Sequence, residues 1–290
     1  MLVVTGSESF VGKNLITHLL TKDQKIIGLD LFEKSQEYDF FKIDIRSNDI
    51  HEIIPEKSTI IHLAAVSSDP LCKKNPYESF DINIMGTLNL IRSAIKKNVK
   101  QFIFASTEWV YEGFTGNEEK DEDSPIDITK HKSEYAISKL ISEMNLKQQY
   151  GNGIDNITIL RFGIIYGPRK NNWSALESIV ASVKNENSVT IGSLKTGRRF
   201  IHVYDIVRGI ESSIGLNGFN IINLSGDKII TLHDIILTSE QFYNKSINIT
   251  EKDSSTISLR NPSNEKAKKI LNWKPEISLQ NGLKTIDAFL

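Results

Sequence analysis

A tyrosine and a lysine lie four residues apart in the segment Tyr135-Ala136-Ile137-Ser138-Lys139. Residues at this spacing share one face of a helix, so the phenol and the ammonium can point into one site. A phenol has an ordinary pKa of about 10, too high for a base at neutral pH, but a nearby positive charge lowers that pKa. The pair therefore indicates acid–base chemistry, although amphipathic helices with an aromatic anchor show the same spacing.

A hydroxyl pair, Ser106-Thr107, follows the apolar run Phe102–Ala105. Ligands of a parallel sheet gather beyond the carboxyl ends of its strands. We expect Thr107 at such an end, where its hydroxyl can hydrogen-bond a reacting alcohol or ketone.

Two glycines flank a turn between the first predicted strand and the first predicted helix. The segment is Thr5-Gly6-Ser7-Glu8-Ser9-Phe10-Val11-Gly12. Amides at a helix N-terminus favour a pyrophosphate, and glycines let the backbone approach it closely. The middle position of the glycine pattern holds Ser9, so an ordinary strand–helix turn without a ligand also fits this segment.

Asp30 ends the second predicted strand, 18 positions after Gly12 (30 − 12). This is close to the separation of about 20 expected for a carboxylate that binds an adenosine ribose. Such a carboxylate accepts hydrogen bonds from the ribose hydroxyls and repels a 2′-phosphate, although an aspartate can also simply end a strand. The turn and Asp30 together predict NAD rather than NADP.

The composition excludes several classes of protein. The 290 residues carry 35 basic and 36 acidic side chains, which argues against a nucleic-acid or anionic-membrane partner. The single cysteine, Cys72, cannot form an intrachain disulfide, and the Cys and His spacings predict no metal site. We find neither a membrane-spanning apolar run nor a signal-peptide pattern, so we expect a cytoplasmic protein.

Short apolar runs alternate with amphipathic stretches in the first half of the chain. A stripe from Tyr77 to Ile95, with apolar residues three or four apart, predicts one long helix. Alternating strands and helices predict a parallel sheet covered on both faces. Predicted strands are Leu2–Thr5, Lys25–Asp30, Phe40–Asp44, Thr59–Leu63, Gln101–Ala105, Asn156–Phe162 and Ser188–Ile191, and further predicted helices are Phe10–Leu20, Trp173–Val183, Leu232–Tyr243 and Leu279–Leu290.

The order of these motifs resembles the extended short-chain dehydrogenase/reductase family, in particular its NAD-dependent epimerase/dehydratase group, which acts on nucleotide-sugars. The matching segments are Thr5 to Gly12, Asp30, Asp44-Ile45-Arg46, His62-Leu63-Ala64-Ala65, Asn83-Ile84-Met85-Gly86-Thr87, Ser106-Thr107 with Val110-Tyr111, Tyr135 to Lys139, Leu160-Arg161-Phe162 with Tyr166-Gly167-Pro168, Arg198 to Asp205, and Leu271-Asn272-Trp273-Lys274-Pro275.

The resemblance implies an α/β fold: a Rossmann-type doubly wound parallel sheet with a small α+β C-terminal substrate domain. Residues 1–168 are expected to bind NAD, with 198–225 returning to pack on this domain, and 169–290 to bind the substrate. It also implies a homodimer paired through the helices around Tyr77–Asn98 and Glu134–Tyr150.

The resemblance further implies roles for individual residues. Tyr135 is the expected acid and base, Thr107 its hydroxyl partner, and Lys139 the group that holds the nicotinamide ribose. Arg198 is expected to contact the substrate diphosphate, although Arg198-Arg199 also fits a solvated basic pair. The other expected substrate contacts are Ser67 and Glu108, and the expected cofactor-binding residues are Gly6, Ser9, Phe10, Val11, Gly12, Asp30, Asp44, Ile45, Leu63, Ala64, Ala65, Asn83, Tyr135 and Lys139.

Four departures from the family pattern narrow the reaction. Dehydratases of the family carry an Asp-Glu pair after the catalytic threonine, and here those positions hold Glu108 and Trp109, which disfavours a 4,6-dehydratase. Ser9 replaces a glycine, and Ile164 replaces a substrate-binding asparagine. An Arg-Pro-Gly-Asp segment is absent, with Arg260 as a loose substitute for its arginine.

We therefore predict an NAD-dependent nucleotide-sugar epimerase of carbohydrate metabolism, acting at C4 through a transient 4-keto intermediate. Two alternatives stay open: a nucleotide-sugar reductase or dehydrogenase, and a non-catalytic NAD(H)-binding protein of the same fold. We interpret His62 as a packed histidine at a strand end rather than a catalytic residue.

Overall fold

The computed structural model describes residues 1–34, 37–171 and 173–290. The strands are β1 (Leu2–Thr5), β2 (Ile26–Asp30), β3 (Asp39–Lys42), β4 (Thr59–His62), β5 (Gln101–Thr107), β6 (Asn156–Phe162), β7 (Ile165–Tyr166), β8 (Ser188–Ile191), β9 (Gly197–Arg198), β10 (Ile201–His202), β11 (Gly218–Leu224), β12 (Ile230–Thr231), β13 (Asn248–Glu251) and β14 (Leu259–Arg260).

The α-helices are α1 (Phe10–Leu20), α2 (Ile50–Ile53), α3 (Asp69–Lys74), α4 (Pro76–Phe80), α5 (Thr87–Lys96), α6 (Glu134–Gln149), α7 (Ala175–Asn185), α8 (Val203–Ser213), α9 (Leu232–Tyr243), α10 (Glu265–Leu271) and α11 (Leu279–Ile286). A π-helical segment covers Asp81–Gly86, and short 3-10 turns cover Glu108–Val110, Ile128–Lys130 and Asp287–Phe289.

The strand order of the central sheet confirms the predicted fold class. Within the described residues the sheet has seven strands in the order β11-β6-β5-β4-β1-β2-β3. Val3 of β1 pairs in parallel register with Ile27 of β2 on one side and Ile60 of β4 on the other. The chain thus starts in the middle, runs to one edge and returns to wind toward the other. The reversal between β1 and β4 creates the crevice where doubly wound sheets bind ligands.

The chain divides into two compact units. The first contains residues 1–112, 125–161 and 209–222, and the second contains 113–124, 162–208 and 223–290. The core of the first unit packs apolar side chains of the sheet, such as Val3, Ile60 and Phe102, against residues of the covering helices such as Leu90 and Leu146. Burial of both sheet faces accounts for strands without polar alternation.

The second unit is built around helices and small sheets. Strands β12, β9 and β14 form one small sheet, and β8 pairs with β13. The core packs α7 against α9 and α11 through residues such as Val180, Ile235 and Ile286. Asp205, at the start of α8, accepts the N–H groups of Glu276 and Ile277, which fixes the chain before α11.

Several predicted element boundaries were wrong for local reasons. The strand predicted to reach Asp44 ends at Lys42, because the Asp44 carboxylate accepts the N–H of Arg46 and forms a turn. The helix predicted from Trp173 starts at Ala175, because Ser174 and Glu177 form a capping box there. The last helix ends at Ile286 and continues only as a 3-10 turn.

The long helix predicted from Tyr77 to Ile95 is interrupted. It consists of α4, the π-helical segment and α5, and the π-helical segment contains Asn83. The Asn83 side chain is buried and bonded to the backbone of Val66, its oxygen accepting the N–H and its amide donating to the carbonyl. A π-turn inserts one extra residue, and here it accompanies an inward-facing polar side chain that the apolar stripe did not predict.

No helix in the described ranges is long and apolar enough to cross a membrane.

Candidate active site

Thr107, Tyr135 and Lys139 come together in the first unit. Thr107 ends β5, and the other two lie one turn apart near the start of α6. The Thr107 hydroxyl lies close enough to the Tyr135 phenol to lower the pKa of that phenol. The Thr107 oxygen accepts the N–H of Trp109 at 3.2 Å, which leaves its proton for the phenol. The Lys139 ammonium lies 6.0 Å from the centre of the Tyr135 ring.

The start of α6 places Tyr135 in the first helical turn. The Ser133 side chain caps the helix, and its hydroxyl accepts the N–H of Ala136 at 3.1 Å. The same hydroxyl donates to the Asp69 carboxylate at the start of α3. The cap therefore fixes the beginning of the helix relative to α3.

Lys139 is almost completely buried, with 3% of its surface exposed. Its ammonium lies 4.6 Å from the centre of the Phe104 ring, in a cation–π contact. Burial lowers the pKa of Lys139 to about 7, while the Glu143 carboxylate and the Cys72 thiol act in the opposite direction. The charge of this lysine is therefore sensitive to pH near neutrality.

The expected lowering of the Tyr135 pKa by Lys139 was wrong. Withdrawal of the phenol from water raises the pKa of Tyr135 above its ordinary value, Cys72 acts in the same direction, and the nearby Thr107 hydroxyl lowers the pKa by less. Lys139 lies at a distance and is itself only partly charged near pH 7. The cationic nicotinamide expected beside the phenol is the remaining group that favours the phenolate.

Gly6 and Gly12 are required by the geometry of the turn before α1. Gly6 has a φ of +69°, and a Cβ on it would lie 2.7 Å from the Ala64 nitrogen. A Cβ on Gly12 would lie 2.1 Å from the Gly6 carbonyl oxygen. Ser9 has an ordinary φ of −69°, and its hydroxyl accepts the Gly12 N–H at 3.1 Å. The serine is thus compatible with the turn and caps α1.

Asp30 is tied to the same turn. Its Oδ2 accepts the Glu8 N–H at 2.8 Å, and its Oδ1 accepts the N–H groups of Leu31 and Phe32. The buried Glu8 carboxylate accepts the Tyr38 hydroxyl at 2.5 Å and lies 3.4 Å from the Lys13 ammonium. Two carboxylates therefore lie at the ends of β1 and β2, where the sequence predicts a ribose-binding group.

A chain of hydrogen bonds links this turn to α6. His62 Nδ1 lies 2.7 Å from the Thr5 hydroxyl, and its Nε2 lies 2.9 Å from Thr87 Oγ1. Thr87 donates its own proton to the Asn83 carbonyl, so His62 must donate from Nε2 and is neutral. Asn83 donates in turn to the Ser138 hydroxyl of α6. Burial holds the pKa of His62 well below its ordinary value, in agreement with a packed histidine.

The other predicted cofactor residues surround the carboxyl ends of the strands. Phe10 and Val11 are partly buried at the start of α1, and Asp44, which follows β3, pairs with Arg46. Ile45 is buried. The three residues after β4, Leu63, Ala64 and Ala65, are partly buried, and Ser67 is exposed.

Glu108 and Trp109 lie directly beyond Thr107. Glu108 is fully buried and opens the 3-10 turn, while Trp109 is partly buried. The described geometry thus places a carboxylate and an indole where dehydratases are expected to carry two acids.

Arg198 belongs to the second unit, in the small sheet. Its guanidinium donates to the carbonyls of Gly197 and Ser258 at 2.7 Å each. Arg260 is the register partner of Arg198 on the parallel neighbour strand, so both side chains leave the same face of the sheet. The assignment of Arg260 as a substitute for the arginine of the missing segment stays a prediction. Arg199, on the other hand, is buried and pairs with Glu119 at 2.6 Å.

A buried ion pair on α6 was not predicted from the sequence. Glu143, four residues after Lys139, pairs with Arg161 of β6 at 2.6 Å. The four-residue spacing places the Glu143 carboxylate on the helix face that carries Lys139, and this spacing was the sequence signal for a buried charged group. Its partner Arg161 lies on a different element, 18 positions further along the chain, and a local sequence pattern does not reveal that contact.

Comparison with known proteins identifies relatives along almost the whole chain. Residues 2–215 match the model of the NAD dependent epimerase/dehydratase family. A UDP-glucuronate 4-epimerase of Thermodesulfobacterium geofontis is 30% identical, over 97% of this chain and 93% of that protein. UDP-glucuronic acid decarboxylase 1 of Arabidopsis thaliana is 27% identical, over 97% of this chain and 68% of that protein.

The fold is also similar to solved structures. UDP-glucuronic acid 4-epimerase of Bacillus cereus, in complex with UDP-glucuronic acid and NAD, superimposes with a TM-score of 0.85. It is 24% identical and the match covers 99% of this chain and 98% of that one. The comparisons confirm the predicted family and fold class, and the names of the relatives agree with the predicted class of activity.

Proposed function

The chain belongs to the NAD-dependent epimerase/dehydratase family, and from this premise we propose that it epimerises a nucleotide-sugar at C4 through a transient 4-keto sugar. The curated relative at 30% identity carries out a 4-epimerisation by its name. The observation that carries the proposal is the close placement of Thr107, Tyr135 and the buried Lys139, on the unit that contains the glycine turn.

The residues of the first unit fit the NAD cofactor of the family. Gly6 and Gly12 keep clear a turn that any Cβ would fill, at the N-terminus of α1. Asp30 is held at the end of β2 by backbone N–H groups, which orients its carboxylate toward a ribose. The Glu8 carboxylate lies next to it and adds a second negative charge. We therefore assign the dinucleotide to this edge of the sheet, with Lys139 holding the nicotinamide ribose.

Bound NAD⁺ supplies a hydride acceptor that later returns the hydride to the sugar. Tyr135 takes the proton of the C4 hydroxyl as the carbon-bound hydrogen departs, which leaves a 4-keto sugar and a protonated phenol. Thr107 donates a hydrogen bond to the reacting oxygen or to the phenolate. The 4-keto sugar then rotates in the site, so that the hydride returns to its other face. Tyr135 returns its proton to the C4 oxygen, and the reaction is balanced without net oxidation.

Arg198 and Arg260 are the residues that we assign to the substrate diphosphate. Two guanidinium groups on adjacent strands, on one face, suit a diphosphate because each can donate two parallel hydrogen bonds and stays charged. The net charge of −1 means that attraction of a diphosphate must come from such placed groups. Ser67 and Glu108 remain proposed contacts of the sugar.

The proposal is tested with Tyr135→Phe and the matched control Tyr150→Phe at the end of the same helix. Protein with NAD⁺ is incubated with UDP-glucose, UDP-glucuronic acid and UDP-N-acetylglucosamine, and the C4 epimers are separated by chromatography. We expect epimer formation by the native protein and Tyr150→Phe, and a loss of about 10²-fold or more in Tyr135→Phe. Full turnover by Tyr135→Phe would overturn the assignment.

A second candidate reaction is decarboxylation of a nucleotide-uronic acid, which the decarboxylases among the relatives favour. Oxidation of C4 turns a uronic acid into a β-keto acid, and such acids lose CO₂ easily. The two reactions share Tyr135 and differ in their product. Release of CO₂ from UDP-glucuronic acid identifies a decarboxylase, whereas lasting accumulation of NADH identifies the dehydrogenase alternative.

We also propose the homodimer that the family resemblance implies. Tyr77, Met85 and Met144 are largely exposed on α4, the π-helical segment and α6, with 84%, 55% and 51% of their surfaces accessible. Exposed large apolar side chains on neighbouring elements are typical of an interaction surface. A second copy of the chain is the proposed partner.

A further inference from the structure

The Glu143–Arg161 ion pair lies in the interior of the first unit. Glu143 is 2% exposed and Arg161 is 3% exposed. Arg161 Nη2 donates to Glu143 Oε2 at 2.6 Å, and Arg161 Nε donates to Oε1 at 3.1 Å. The carboxylate and the guanidinium therefore meet in a two-point contact of fixed orientation.

The ion pair also contacts the residues on both sides of the segment 107–110, which is called the Thr107 segment. Ser106, directly before Thr107, donates its hydroxyl proton to Glu143 Oε1 at 2.5 Å. Tyr111, directly after the 3-10 turn, accepts Arg161 Nη1 at 2.7 Å, and its ring lies 4.8 Å from the guanidinium carbon. The turn that carries Thr107 and Glu108 is thus held at both ends by one ion pair.

Glu143 belongs to the same helix as the two catalytic side chains. It lies one turn after Lys139 and two turns after Tyr135 on α6. Arg161 belongs to β6, and Ser106 and Thr107 belong to β5. The pair consequently connects the helix that carries Tyr135 and Lys139 to the strand that carries Thr107.

Stability alone gives little reason to keep such a pair in the interior. Removing both charges from water offsets most of their attraction, and apolar residues of similar volume often stabilise a core better. Orientation is what an ion pair adds, because its hydrogen bonds have fixed directions. Positional errors of about 1 Å in a reacting group can reduce a rate about 10²-fold.

We propose that Glu143 and Arg161 are positioning residues, which fix the Thr107 segment against α6 so that the Thr107 hydroxyl, the Tyr135 phenol and the Lys139 ammonium keep their reactive geometry. This inference rests on the proposed function of the three catalytic side chains. It assigns the pair a role in the chemical step rather than in binding of NAD or of the substrate.

Ser106→Ala is the mildest test, because it removes one hydroxyl and leaves both charges in place. We expect kcat to fall about tenfold or more with KM and the NAD dissociation constant unchanged, and Ser106→Thr to restore kcat because it keeps a hydroxyl. Glu143→Gln should lower kcat further. Glu177→Gln, which alters a buried ion pair with Arg169 in the second unit, is the matched control for a loss of stability.

A second measurement does not depend on turnover. The absorbance of tyrosinate in native protein minus that in Tyr135→Phe, with NAD⁺ bound, follows the ionisation of Tyr135. We expect Glu143→Gln to change this titration, since the groups that face Lys139 are Glu143 and Tyr135 on its own helix, Cys72 on α3 and His62 on β4. Glu177→Gln should leave it unchanged.

The outcomes separate this inference from the proposed function. If Tyr135→Phe abolishes turnover while Ser106→Ala and Glu143→Gln keep the native kcat and tyrosinate titration, the positioning role is refuted and the function stands. If the native protein epimerises none of the sugars, the function fails, and the titration still decides the role of Glu143. An equal loss of kcat in Glu177→Gln would show a general effect of stability and would also refute the positioning role.

Discussion

His202 provides a quantitative test of the buried hydrogen bonds of the second unit. The imidazole is buried in the second unit, where its Nδ1 accepts the Tyr204 N–H at 3.2 Å. Its Nε2 lies 2.9 Å from Thr285 Oγ1, which donates its own proton to the Gly282 carbonyl. Nε2 must therefore donate, and Nδ1 carries no proton because it accepts the Tyr204 N–H. His202 is neutral in the folded protein, and burial lowers its pKa from 6.5 to about 4.

This lowered pKa predicts a loss of stability in acid. Between pH 6.5 and 4 the unfolded chain binds a proton on His202 and the folded chain does not, so the free energy of unfolding falls as the pH falls. At about 1.4 kcal/mol per pH unit, the contribution of His202 amounts to about 3 kcal/mol at pH 4 and below. His62, whose pKa is also lowered by burial, acts in the same direction in the first unit.

The prediction is tested by urea unfolding of the native protein and His202→Gln between pH 7 and pH 4. Glutamine can accept from the Tyr204 N–H and donate to Thr285, but it does not titrate. We expect the stability advantage of the native protein over the variant to shrink by about 3 kcal/mol across this range. Thr285→Ser keeps the hydroxyl and should follow the native curve. Parallel curves for native protein and His202→Gln would refute the proton assignment.

Three further results are expected. Gly12→Ala should weaken NAD binding by tenfold or more in calorimetry, because its Cβ would lie 2.1 Å from the Gly6 carbonyl oxygen. Arg260→Met should raise KM for the nucleotide-sugar about tenfold or more with a smaller change in kcat, since a charged hydrogen bond contributes about 1.5–3 kcal/mol; an unchanged KM would exclude Arg260 from the diphosphate site. Met144→Lys should shift the protein from dimer to monomer in sedimentation, and a variant that stays dimeric would place the interface elsewhere.

Local signals predicted much of the fold and of the candidate site. The first strand and the first helix were predicted at their observed bounds, because a short run of buried β-branched residues and a long amphipathic stretch differ clearly in period. Asp30 was predicted as a binding residue from its place at the end of a strand and its distance from Gly12. These features depend on residues near one another in the chain, so one sequence is sufficient to see them.

Features that depend on contacts between distant residues were not predicted. Tyr38 bonds to Glu8 thirty positions earlier, and Arg161 pairs with Glu143 across two elements. The π-helical segment at Asn83 depends on the backbone of Val66, which an apolar stripe does not reveal. The upward shift of the Tyr135 pKa likewise follows from burial, which becomes known only when the packed neighbours are known.

Ser9 is a departure from the glycine pattern at the position where the turn does not require glycine. The three positions of the glycine pattern do not carry equal constraints, because Gly6 has a positive φ and Gly12 leaves no space for a Cβ, whereas Ser9 has a φ that any residue adopts. The serine hydroxyl takes the Gly12 N–H, one of the amides at the start of α1. An amide that serves the cap is less available to a pyrophosphate, so we expect Ser9 to change how tightly a dinucleotide binds. The path of the turn itself is compatible with the serine.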